Sequence, residues 1–141
     1  MGKIDMSADF DQGALKAYSK NEAYLIITLA NPSDTGIYWC ECEVRVRPPL
    51  SLVHDGELNS GKAHIGILQP RIPINKKIKI FTRPNNYPDE YPVEITVFVY
   101  DEGGAISERI ERKVTISCKE APSEVTDSAA RDGGALPSSP Q

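Results

Sequence analysis

Between Val93 and Tyr100 the chain reads VEITVFVY, with Val93, Ile95, Val97 and Val99 alternating with Glu94, Thr96, Phe98 and Tyr100. A period of two describes a strand with one face in a core and the other toward solvent. The same pattern recurs along the chain. Cys40, Cys42, Val44 and Val46 alternate with Glu41, Glu43, Arg45 and Arg47. Leu25, Ile27 and Leu29 stand opposite Tyr24, Ile26 and Thr28. Ile78 and Ile80 alternate with Lys77 and Lys79, and Val114, Ile116 and Cys118 with Lys113, Thr115 and Ser117. Clean alternation favours an antiparallel arrangement over a parallel sheet buried on both faces.

Composition supports this reading. Residues 1–118 contain 14 Ile and 7 Val against 7 Leu, and branching at Cβ favours the pleated surface over a helix interior. Prolines 32, 48, 49, 70, 73, 84, 88 and 92 interrupt the remaining stretches. Only Asp11 to Ala23 leaves room for a helical turn, weakened by Gly13. The expected strands are Ile4–Phe10, Ala23–Ala30, Ile37–Arg47, Ala63–Leu68, Lys77–Thr82, Val93–Tyr100 and Ser107–Ser117, with Leu50–Val53 as a short edge strand. Turn residues stand between them, as in Asn31-Pro32-Ser33-Asp34 and Asp101-Glu102-Gly103-Gly104. Seven to eight strands in one domain over 1–118 point to an all-β, antiparallel sandwich. A small barrel is the alternative. Residues 119–141, with Pro122, Pro137, Pro140 and no aromatic residue, read as a disordered tail too poor in apolar groups to offset the entropy of ordering.

Three segments resemble the immunoglobulin-like modules of the CARDB and NEW3 type found in archaeal and bacterial proteins. They are YLIITLANPSDTGIYWCECEVRV, ILQPRIPINKKIKIF and DEYPVEITVFVYDEGG. The resemblance covers about residues 20–117 and implies an immunoglobulin-like sandwich acting as a spacer, adhesion unit or binding module. Within it, Asp89 and Tyr91 resemble the tyrosine corner, where a phenol bonds backbone upstream. Val93 stands where an antibody domain has its second disulfide cysteine, and Ile27 or Leu29 where it has the first. The resemblance therefore implies no inter-sheet disulfide of that kind.

Few residues invite chemistry. The formal net charge is −4 with a pI near 5.2, a poor background for nucleic acid. The basic stretch from Arg71 to Arg83 reads instead as an edge strand on which Lys77 and Lys79 block sheet-to-sheet aggregation. Phosphate-cradling, nucleophile-elbow and zinc-protease motifs are missing. Asp89 with Glu90 and Asp101 with Glu102 read as solvated turn carboxylates. Cys40, Cys42 and Cys118 read as buried free thiols. A metal-dependent enzyme would have to assemble Cys40 and Cys42 with His54 and His64, the only two histidines. Neither cofactor, metal nor catalysis is expected. No apolar run reaches the roughly 18 residues of a membrane-spanning helix. MGKIDMSADFDQ lacks the apolar core of a secretory signal. With three unpaired thiols, the expected location is the cytoplasm.

The outward positions are the informative ones. If the aliphatic residues point inward, Trp39, Phe98 and Tyr100 point outward beside Glu41 and Glu43. Aromatic residues on a charged solvent face are characteristic of interface anchors. Trp39, Glu41, Glu43, Phe98 and Tyr100 are therefore the expected partner-binding residues, for a protein partner or a homodimer. A bulge near Cys40 that turns Trp39 inward is the competing expectation. The competing functions are a structural spacer and the metal-dependent enzyme.

Overall fold

Residues 4–120 are described by a computed structural model. Their secondary structure is strand without helix: β1 (Asp5–Phe10), β2 (Ala14–Lys16), β3 (Asn21–Ala30), β4 (Tyr38–Arg45), β5 (Leu50–Ser51), β6 (Ser60–Leu68), β7 (Ile74–Thr82), β8 (Asp89–Tyr100) and β9 (Ile106–Lys119). The strands form two sheets, ordered β1-β3-β7-β5 and β2-β9-β8-β4-β6. Every strand pairing is antiparallel except the short one between β2 and β9. The five-stranded sheet is curled into a half-barrel.

One core lies between the sheets, and the alternating aliphatic residues make it. Leu25, Ile27 and Leu29 of β3 meet Cys40, Cys42 and Val44 of β4 and the valines and isoleucine of β8, all essentially inaccessible to solvent. Burying side chains of this size stabilises by about 1.5–3 kcal/mol each. Tyr91 belongs to the same core. Its hydroxyl donates to the carbonyl of Tyr87 and accepts from the Tyr87 N–H at 3.2 Å. The chain ahead of β8 is thereby tied to the core.

The stretch from Asp11 to Ala23, which leaves room for a helical turn, forms none. Ala14–Lys16 pairs in parallel with Ser117–Lys119, and the chain then turns at Tyr18, whose φ is +59°. The reason is long-range. Asn86 is fully buried, and its side chain donates to Lys16 O at 2.7 Å and accepts from Ser19 N at 3.1 Å. Its backbone carbonyl accepts from Tyr18 N at 2.7 Å. These bonds hold residues 16–19 extended and bent, a conformation that local propensity does not select.

Lys77 and Lys79 are also placed differently from expectation. β7 lies between β3 and the two-residue β5, so it is not an edge strand. Both ammonium groups lie over the Tyr24 ring, at 5.9 and 5.3 Å from its centroid, and Lys79 pairs with Glu22 at 3.4 Å. The hydrogen bond and charge of Glu22 raise the Lys79 pKa. The strand expected over Leu50–Val53 is shorter, at Leu50–Ser51, and does lie at an edge. β9 runs to Lys119, one residue beyond the expected end of the domain. The expected tail from residue 121 onward lies outside the described residues.

Candidate interaction face

The outer face of the five-stranded sheet is built by four strands whose register is unbroken between β4 and β8 and shifts once on each side, in β6 at Ile65 and in β9 at Ser107. β8 pairs with β4 so that Trp39 faces Tyr100, Glu41 faces Phe98 and Glu43 faces Thr96. β6 extends these pairs on one side and β9 on the other. The result is a set of rows running across the strands. The first is Ile67–Trp39–Tyr100–Ile106, and the second His64–Glu41–Phe98–Arg109. Next come Lys62–Glu43–Thr96–Glu111 and Ser60–Arg45–Glu94–Lys113. The face thus grades from an apolar end to a charged one.

Trp39 points outward and is 42% exposed. A bulge does lie near Cys40, but the surplus residue is in β6: Cys40 faces Gly66 and Glu41 faces His64, leaving Ile65 without a partner position. Gly66 takes φ +134°, which favours glycine. β4 keeps its register with β8 through this point, so its alternation is unbroken and Trp39 stays on the solvent side.

Trp39, Glu41 and His64 form one cluster. The indole N–H donates to Glu41 Oε2 at 3.2 Å, and His64 Nδ1 lies 3.1 Å from the same oxygen. The tryptophan and histidine rings meet edge to face with centroids 5.6 Å apart. Phe98 lies under the Arg109 guanidinium, 5.8 Å from its centroid, and Arg109 pairs with Glu111 at 3.0 Å. At the charged end Arg45 and Glu94 pair at 3.2 Å. The five residues singled out in the sequence therefore share one face. Phe98, Tyr100, Glu41 and Glu43 are half-buried on it, and Trp39 is the exposed member.

The sequence did not single out His64, Ile67, Arg109 or Ile106 for this face. Ile67 is 52% exposed and Ile106 59%. Their role emerges only from register. Each isoleucine sits at the end of a row whose centre is Trp39 and Tyr100, and no spacing along the chain reveals that alignment.

The four groups of the metal-enzyme reading do not meet. Cys40 and Cys42 face the core, and burial pushes each thiol up to about 11. His64 is on the outer face, and His54 packs edge to face against Phe81 of the other sheet at 5.6 Å. Among the described residues no three His, Cys, Asp or Glu side chains are grouped to hold a metal ion. The carboxylate pairs serve the backbone and its neighbours. Asp101 Oδ1 accepts from Gly103 N at 2.9 Å and Ala105 N at 3.0 Å, and Glu90 accepts from the Ser117 hydroxyl at 2.7 Å. Among the described residues no helix is long and apolar enough to cross a membrane.

No protein-family model matches the chain, and no curated protein matches it. Solved structures similar to it include AvmM, described as catalysing macrocyclization in alchivemycin A biosynthesis. That likeness has 9% identity and a TM-score of 0.45 over 84% of this chain and 90% of that one. Another is Spo0M, a sporulation control protein from Bacillus subtilis, at 17% identity and a TM-score of 0.42. It covers 86% of this chain, which spans about half (51%) of the Spo0M chain.

Proposed function

We propose that the chain is a non-catalytic, immunoglobulin-like module of protein interaction or assembly, working through the outer face of its five-stranded sheet. The observation that carries the function is the row Ile67–Trp39–Tyr100–Ile106, which sets apolar and aromatic side chains side by side across four strands. Large rings flanked by half-exposed isoleucines gain most from being covered by another protein. The charged rows beside them supply a polar rim.

The immunoglobulin-like type, and with it the resemblance to CARDB and NEW3 modules, has two supports. The strand order lets β1, β3 and β7 be read as strands A, B and E, opposite β9, β8, β4 and β6 as G, F, C and C′, with β5 an added edge segment that precedes β6 along the chain. The Tyr91 bond to the Tyr87 backbone has the character of a tyrosine corner. The charged face also argues for protein rather than nucleic acid, because Glu41, Glu43, Glu94 and Glu111 are spread among its cations. Three buried free thiols favour a reducing cytoplasm.

The test compares the full chain with its Phe98→Glu variant, alone in sedimentation velocity and as immobilised bait in an extract of its source cells. The wild type should associate with itself or retain a partner, and Phe98→Glu should lose that association while keeping its strand circular dichroism. A wild type that stays single and retains nothing, or an association indifferent to Phe98→Glu, leaves a structural spacer as the function.

A further inference from the structure

The four rows of the outer face are complementary to themselves, and resting on the interaction reading above, we propose that their partner is a second copy of this chain. The two copies pack face to face about a two-fold axis that runs parallel to the strands, between β4 and β8. Such an axis exchanges the two sides of the sheet and keeps each row in place. β4 of one copy then lies over β8 of the other, and β6 over β9.

The consequences can be read row by row. In the apolar row, Trp39 lies over Tyr100 of the second copy, and Ile67 over its Ile106. In the second row His64, with the Glu41 carboxylate that it bonds, lies over Arg109 and Phe98 of the second copy. In the third row Lys62 lies over Glu111 of the second copy. Lys62 has no ion partner in its own chain among the described residues, so the contact gives it one. In the last row Arg45 lies over Glu94 of the second copy and Glu94 over its Arg45. The existing 3.2 Å pair and its symmetry mate become a ring of four alternating charges on the axis. In these charged positions no acid meets an acid.

Turning the second copy end for end gives a different result. Rows reverse, Trp39 falls on Arg45, Ile106 on Lys113 and Glu41 on Glu43. That arrangement puts rings and aliphatic groups on charges and sets like charges together, which costs affinity. Charge and polarity together therefore select the parallel axis. The curl of the sheet makes its outer face convex, so β4 and β8 approach most closely. These strands carry Trp39, Tyr100, Arg45 and Glu94, while among the flanking pairs of β6 and β9 the charged one, Lys62 with Glu111, has long side chains. Stacked sheets lie about 10 Å apart with strands aligned to within roughly 30°, a gap that a lysine and a glutamate reaching from both sides can close.

Charge exchange tests this arrangement on the full chain by sedimentation equilibrium. Lys62→Glu sets carboxylate against carboxylate at both of these contacts in its own dimer. Glu111→Lys sets ammonium against ammonium at both. Each variant alone should dimerise about tenfold more weakly or worse. An equimolar mixture should recover wild-type affinity as a heterodimer, in which each contact again joins a carboxylate to an ammonium group. Failure of the mixture to recover, with both variants weakened, overturns the row alignment. Dimerisation that ignores both reversals but is lost in Phe98→Glu overturns the two-fold proposed here and leaves the interaction face intact. A wild type that remains single while retaining another protein through Phe98 overturns the second copy as occupant.

Discussion

Trp39 and His64 meet edge to face across the β4–β6 pair, with ring centroids 5.6 Å apart and planes inclined at 65°. Both rings also bond the same oxygen of Glu41. An exposed tryptophan is thereby held in one orientation before any partner arrives. A side chain ordered in advance loses less entropy on binding.

His64→Ala should release that ring. Trp39 is the only tryptophan, so its emission reports the face without interference. The variant should show stronger acrylamide quenching and weaker association, with a loss of fold stability of about 0.5–1.5 kcal/mol at most. Unchanged quenching would mean that Glu41 and β8 hold the indole without the histidine.

The assignment of inside and outside on β8 is open to a direct test. Val97 is fully buried in the core, and Phe98 is half-buried on the outer face beside Arg109. Val97→Glu puts a carboxylate among aliphatic groups without a counter-ion, a cost comparable to the roughly 5–15 kcal/mol that holds a whole domain together. It should unfold the chain. Phe98→Glu should retain cooperative unfolding, because solvent and the Arg109 guanidinium offset the like charge of Glu41 opposite it on β4. The opposite pattern in circular dichroism would reverse the two faces.

The strands of the core were legible because the alternation of Val and Ile with polar residues fixes both the element and its faces. The outward aromatic residues followed from the same alternation. Three features were hidden for physical reasons. Ala14–Lys16 is too short to carry a pattern and is extended by its pairing with Ser117–Lys119, about a hundred residues away along the chain. Trp39 had two possible directions until the bulge was found in β6 at Ile65 and Gly66. The row joining Ile67 and Ile106 to Trp39 and Tyr100 depends on the relative register of four strands, which turn lengths and bulges set together.

The three thiols predict a specific alkaline weakness. Burial pushes Cys40 and Cys42 from 9.0 up to about 11, and raises Cys118 as well. The folded chain therefore favours the neutral thiol more strongly than the unfolded chain does. Stability from this source is complete below about pH 9 and is lost as pH rises from 9 toward 11. The unfolding midpoint should fall across that window, and Cys40→Ala with Cys42→Ala should flatten the fall relative to its own value at neutral pH. An equal slope in the double variant would assign the alkaline loss to other groups. Below that window the native chain should also resist alkylation, and on denaturation without reductant it should yield three reactive thiols.

Asn86 should prove the most sensitive polar residue of the fold. It is fully buried, its amide donates to Lys16 O at 2.7 Å and lies 3.5 Å from Cys118 Sγ, and its side-chain oxygen accepts from Ser19 N at 3.1 Å. Asn86→Ala strands Ser19 N, which has its acceptor in the Asn86 side chain, whereas Lys16 O keeps a second donor in the Asn21 amide at 2.8 Å. An unsatisfied buried group costs about 1–3 kcal/mol, so the variant should lose roughly 1–3 kcal/mol in denaturant unfolding. Asn86→Asp tests the direction of the bonds. It keeps an acceptor for Ser19 N but loses the donor to Lys16 O, and it buries a negative charge. It should be no more stable than Asn86→Ala at neutral pH. Tyr91→Phe serves as the comparison, because it removes a single phenol bonded to the Tyr87 backbone and should cost only about 1 kcal/mol. If Asn86→Ala costs no more than Tyr91→Phe, the bend after β2 is held by the β2–β9 pairing alone, and the amide merely occupies the space beneath it.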